Sequence, residues 1–318
     1  MPTFRLLVFS TKPASIRLVR QLAWVTVLAA LLLLSGCLST ALRVPVSDAS
    51  VAIISSSNAR IFTEVADQLK KKLGERTQVY YLTGNVVNDN RIIELLNKSG
   101  RKQIVTIGLR ASRLSKQLKG KQVVFCQVFN YRQYGLVASF RKGVSAVPPP
   151  DRLFRKWKQL APNLKTVLSI TGPAHHQMLI KARMDARRYG IRLKHLVVRS
   201  DKELVYTYKQ NAGKYQGLWL LPDNRVLSRK AIHSVMSFSV KNGIQVMVFS
   251  SQLLQIGGLV SVAAVPDDVA EQVYRRLQDG AGRRELPGPA VTHLTRAEFR
   301  VNDVVAIQLG LTNRRNRK

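Results

Sequence analysis

The residues able to do chemistry sit at the ends of short apolar runs. Asp223 and Asn224 follow the run 217–221 and Pro222, so a turn presents a carboxylate and an amide. Asp223 there either caps the segment that follows or offers negative charge to a cationic ligand group. Ser55, Ser56 and Ser57 follow the run 51–54 and lead into a helical pattern. They either cap that helix or, with its free N–H groups, seat a carboxylate or phosphate. Arg110 follows the run 104–107, Asn130 the run 123–128, Thr171 the run 165–170, and Ser250 the run 244–249. Such groups can bind by hydrogen bonds and charge. A Gly-x-Ser-x-Gly elbow, a phosphate loop and a spaced metal motif are all missing from the sequence, so no catalysis, cofactor or metal is expected. His175 and His176 are adjacent and so point in different directions on a helix; they read as an exposed helix start.

The elements that must hold these residues alternate. Each apolar run is short enough for a strand buried on both faces, and between the runs apolar residues recur at helical spacing, as in Ile61, Phe62, Val65, Ala66, Leu69 and Leu73. Ser228 offers a helix N-cap before Ile232, Val235, Met236 and Phe238, and Asn242-Gly243 ends that helix. Strand, helix, strand at this spacing is a right-handed βαβ unit, whose ligand-facing end is the carboxyl end of the strands. The segment 144–151, with Pro148, Pro149 and Pro150, breaks the rhythm and reads as a crossing between lobes, and a final short helix is expected over 301–311. The fold class expected is α/β, with two doubly wound parallel-sheet lobes.

Composition sets the compartment and the class. A chain of 318 residues with 46% hydrophobic residues can fill two cores of ordinary size. Its 51 Lys and Arg against 18 Asp and Glu give a formal charge of +33. Arg5, Lys12, Arg17 and Arg20 precede an apolar stretch over 22–34 that is too short to cross a bilayer but fits the core of a secretory signal. It ends in Leu34-Ser35-Gly36-Cys37, which resembles the lipobox of bacterial lipoproteins. The resemblance implies a signal peptide over 1–36, a lipid on Cys37, a tether over 37–47 and attachment to a membrane of the cell envelope. Leu38 after the cysteine implies the outer rather than the inner membrane. Only Cys126 then remains; it lies in an apolar run, as a buried inert thiol would. The basic residues are scattered along helices, as in Lys70-Lys71-Lys72, without the aromatic spacing of a nucleic-acid platform, and residues 314–318 form a basic tail.

From about Val51 to Leu311 the chain resembles the solute-binding proteins of ABC transporters. The likeness is to the type I periplasmic-binding-protein family, whose members include aromatic amino-acid binders. The residues that carry it are Pro222-Asp223-Asn224, the run 246–258 with its Ser-Ser and Gly-Gly, Val301-Asn302 with Ala306 and Leu309-Gly310-Leu311, Leu160-Ala161-Pro162-Asn163, and Gly135-Leu136-Val137. The resemblance implies three crossovers, with lobe one over 48–138 and 262–283 and lobe two over 139–261 and 284–313. It also implies a small amino-acid-like ligand enclosed between the lobes by Ser56, Ser57, Arg110, Asn130, Thr171, Asp223, Asn224 and Ser250. The partner implied is an ABC permease or, in a protein that senses or scaffolds, another envelope protein; nucleic acid is not expected. Asn130-Tyr131 stands where the family usually has Asp-Pro, and Gly108-Leu109-Arg110 where Gly-Thr-Pro is common, so the cleft loses an acid and a hydroxyl and gains a cation, and an anionic or mixed ligand touching Arg110 is as arguable as an amino acid.

Overall fold

The structure, a computed structural model, describes residues 51–74, 77–129, 131–223 and 225–311. The expected signal, Cys37, the tether, Asn130, Asn224 and the basic tail lie outside the described residues.

In the first lobe, strands β1 (Val51–Ser55), β2 (Gln78–Tyr81), β3 (Gln103–Ile107), β4 (Gln122–Cys126), β5 (Arg141–Val144) and β11 (Val291–Thr292) form one sheet in the order β11-β5-β4-β3-β1-β2, parallel throughout. The apolar runs of β1, β3 and β4 are buried along their whole length because helices cover both faces. The period of two divides them. Val51 and Ile53 pack on helices α1 (Arg60–Leu73) and α8 (Pro266–Gly280), while Ala52 and Ile54 face Ile93 and Leu96 of α2 (Val86–Lys98) and Ala111 of α3 (Leu109–Leu114). Each such fully buried aliphatic side chain contributes roughly 1.5–3 kcal/mol.

The second lobe repeats the plan with β6 (Thr166–Thr171), β7 (Arg192–Val197), β8 (Gly217–Trp219), β9 (Gln245–Val248), β10 (Val260–Ala263) and β12 (Glu298–Val301), in the order β12-β10-β9-β8-β6-β7. Helices α4 (Pro150–Leu160) and α5 (His176–Arg187) cover one face, and α6 (Asp201–Asn211) and α7 (Arg229–Lys241) the other, while α9 (Asp303–Gln308) follows β12. Only β12 runs antiparallel, at the sheet edge beside β10. Ser228 caps α7 by accepting the Ala231 N–H, as its position predicts.

The two lobes are doubly wound α/β units joined by three passages of chain: Val144 to Pro150, Ala263 to Pro266, and Thr292 to Glu298. Their boundaries differ from the expected ones. β5 hydrogen-bonds β4, so the chain leaves the first sheet after Val144 rather than at residue 138. Residues 262–263 belong to β10 in the second sheet, and β11 returns to the first. β5 was hidden because its sequence, Arg-Lys-Gly-Val, has no apolar run. Its Gly143 lies under the Phe125 ring, where a Cβ would come within 2.1 Å of the ring. α6 was not read either, and the expected helix over 301–311 is shorter because Val301 still belongs to β12. Gln103 and Gln122 fasten α8 to lobe one by donating to the carbonyls of Leu277 and Gly280 at 2.8 and 2.9 Å.

Candidate functional site

Between the lobes, where the strands of both sheets end, lies a cleft in which the described residues line two chambers. The larger, of about 710 Å³, is bounded by the start of α1 in lobe one, by Trp219 and Leu221 in lobe two, and by the residues after β9. The smaller, of about 360 Å³, lies between Tyr131 and Arg132 of lobe one and His175, Met178 and Lys181 of lobe two. The first passage, Ala146 to Pro148, and Phe129 border both. The protein's own side chains do not pack this gap shut.

Of the described residues expected to bind ligand, only Ser250 lines a chamber, with Ser251 and Gln252 beside it. Ser56, Ser57 and Thr171 have hydrogen-bond partners within their own lobes, and Arg110 lines neither chamber. Ser56 Oγ accepts the Ala111 N–H at 3.0 Å and Ser57 Oγ accepts the Ala59 N–H at 3.2 Å, so the serines after β1 cap turns and helix starts. Arg110 is exposed and lies over Gly84 in the loop after β2, where φ is +89° and a Cβ would come within 2.6 Å of the guanidinium. Thr171 is buried, donates to the Gly172 carbonyl at 2.8 Å and lies 2.9 Å from His195 Nε2.

Asp223 faces neither solvent nor either chamber. Its Oδ2 accepts the Gly172 N–H at 2.9 Å and its Oδ1 the Arg225 N–H at 3.1 Å, binding the end of β6 to the turn after β8. Against it packs His175, with Nε2 3.5 Å from Oδ2. His175 is 3% exposed, not the exposed helix start expected from sequence. Burial holds its imidazole below the usual range, against the pull of Asp223 and of the Pro222 carbonyl.

The chamber walls use residues that pattern alone does not mark. Gln127, at the end of β4, is buried at φ +55°, the one non-glycine residue with positive φ among the described residues, and lines the larger chamber. Arg132 stacks 5.7 Å over the Tyr131 ring at the smaller one. Glu64 and Glu298, the acids of the larger chamber, are paired at 2.7 Å with Arg60 and Arg300 respectively. No group of acidic, His and Cys side chains among the described residues could hold a metal ion.

The chain superposes over most of its length on several solved structures. A ligand-free, open substrate-binding protein with adhesive properties from Clostridium difficile superposes with a TM-score of 0.63 at 16% identity, over 84% of this chain and 96% of that one. The chain has the type I periplasmic-binding-protein fold. Two further structures share that fold. One is an ABC domain in complex with L-Trp from Streptococcus pneumonia (TM-score 0.59, 18% identity, 82% of this chain and 95% of that one). The other is a conserved domain protein from Vibrio cholerae (0.58, 18%, 82% and 94%). No protein-family model matches the chain, and neither does any curated protein. At 16 to 18% identity these likenesses show the fold.

Proposed function

We propose that this chain is a lipid-anchored extracytoplasmic solute-binding protein that captures a small polar ligand of amino-acid size between its lobes and delivers it to an ABC importer. The observation that carries the reading is the open chamber of about 710 Å³ between two lobes tied by only three passages. A ligand touching both lobes favours their approach by its differential affinity for the closed state, and a membrane partner reads the closed shape. Ser250 and Gln127 are the polar groups proposed to meet it, and Trp219 the apolar wall.

The lipid is proposed on Cys37, from the Leu34-Ser35-Gly36-Cys37 sequence, and Leu38 supports the outer membrane. In that location the second reading gains weight: an envelope protein that senses a ligand or contacts a partner without importing anything. The formal charge of +33 favours it, since so basic a surface is attracted to anionic envelope polymers and lipids.

The test is the melting temperature of the purified full chain against a broad metabolite library. A dose-dependent rise with one chemical class supports capture, and a folded protein that no metabolite stabilises refutes it. Cys37→Ser tests the anchor separately: the variant should be neither lipidated nor processed.

A further inference from the structure

The smaller chamber has a charge pattern that selects among ligands. Arg132, Lys181 and His293 stand at its rim and His175 at its floor, and no carboxylate lines it. Among the described residues neither Arg132 nor Lys181 makes an ion pair, whereas the acids of the larger chamber are already paired. A free ammonium entering the cleft would therefore meet cations and neutralised carboxylates. A carboxylate would meet two unpaired cations, one of them a planar guanidinium 5.7 Å over the Tyr131 ring. Apart from Ser145 and Tyr131 the rest of the wall is apolar, with Val128, Val147, Pro148 and Met178. The floor supplies an independent observation: His175 Nε2 is buried and has no hydrogen-bond partner in the protein, although the residue is only 3% exposed.

Resting on the capture reading above, we propose that the ligand is a small organic carboxylate with an apolar body and no free ammonium, its carboxylate seated against Arg132 and Lys181 in the smaller chamber. The ligand class thus departs from an amino acid whose ammonium Asp223 would meet, because that carboxylate accepts the Gly172 and Arg225 N–H groups and lines neither chamber.

The seat also carries a pH dependence. His175 is held neutral by burial, with Asp223 the nearest acid, and His293 is held below its usual range by partial desolvation and by Lys181. A bound carboxylate adds negative charge beside both imidazoles and raises their proton affinity, so binding should take up protons and tighten as pH falls below about 6.5, because both imidazoles lie under the ordinary histidine value before the ligand arrives. Arg132 and Lys181 are the other charged groups facing the chamber.

The experiment is a thermal-shift and calorimetric comparison of matched probes on the full chain: phenylacetate, benzoate, phenethylamine, phenylalanine and inorganic phosphate, followed by the metabolite library. Arg132→Ala, Lys181→Ala and the charge-keeping Lys181→Arg are run in parallel; both sites are exposed, so folding is not at stake. Expected is stabilisation by a carboxylate and none by the amine, with affinity reduced at least about tenfold in each alanine variant and largely kept in Lys181→Arg. If the amine or zwitterion binds as well as the carboxylate, if only phosphate binds, or if the alanine variants bind normally, the carboxylate seat is wrong while capture stands. If nothing in the library binds, capture itself fails.

Discussion

The Asp268 carboxylate accepts the Thr295 amide hydrogen at 2.7 Å and so ties the start of α8, just beyond the second passage between the lobes, to the third passage. Oδ2 also accepts the Arg296 N–H at 2.8 Å, and Oδ1 the Thr295 hydroxyl at 2.6 Å. The side chain is 1% exposed at the start of α8, so the clip sits inside the hinge region that any lobe motion must turn about.

Asp268→Ala should therefore lower stability by about 1–3 kcal/mol, because two backbone donors lose a charged acceptor. Burial pushes the Asp268 carboxyl up, but the hydrogen bonds from Thr295 and Arg296 outweigh it and hold the group below the ordinary value. A depressed folded value means stability that is present above about pH 4 and lost as pH falls through the folded value. Urea midpoints of the parent and variant between pH 3 and 7 should converge at the acid end; a constant gap would contradict this role.

Asp223 and His175 predict a separate acid sensitivity. The unfolded imidazole takes a proton near pH 6.5 while the folded one resists it, so stability from this residue is present above about pH 6.5 and falls below it. His175→Leu should flatten the stability profile between pH 6.5 and 5. Asp223→Ala should lower the urea midpoint by about 1–3 kcal/mol equivalent, since the buried Gly172 N–H loses its acceptor. An Asp223→Ala chain as stable as its parent would overturn the structural role assigned to that carboxylate.

The alternation of strands and helices was legible because parallel strands buried on both faces write themselves as apolar runs, as at β1, β4 and β9. Edge and crossing elements were not. β5, β11 and β12 are short, polar or half exposed, and they decide where one lobe ends and the other begins. The candidate site was legible only as a place, the carboxyl ends of the strands. Ser56, Thr171 and Asp223 have the right chemistry at that place, yet local backbone donors and neighbouring side chains claim them first. Arg132, Lys181 and Gln127 do face the chambers, but nothing in residue spacing sets them apart from the many other basic and polar residues of a chain with 51 Lys and Arg.

Gln127 offers a test of backbone strain at the cleft. Its left-handed conformation costs about 1–3 kcal/mol in a non-glycine residue and is least tolerated by a β-branched one. Gln127→Val should destabilise the chain by that order. Gln127→Gly should leave the melting temperature nearly unchanged while weakening ligand binding, because the amide facing the larger chamber is removed. Equal melting temperatures for the two variants would contradict the assignment.

Cys126 should be silent in the native protein. Burial pushes its thiol up to about 12, so the thiolate that reacts with disulfide reagents is absent at neutral pH. A chromogenic disulfide should label the folded, lipidated chain very slowly and the urea-unfolded chain at one site. Rapid native labelling would show that the β4 core opens.

The same inertness allows labels to be placed elsewhere for the central question, whether the two lobes close on a solute. Val87 in lobe one and Tyr206 in lobe two are both more than half exposed, and spin labels at Val87→Cys and Tyr206→Cys report the interlobe distance by dipolar spectroscopy. With the tightest-binding member of the organic-acid and metabolite panel at saturation, the distribution should shift and narrow relative to the chain alone. A distribution identical with and without the bound solute would contradict capture between the lobes.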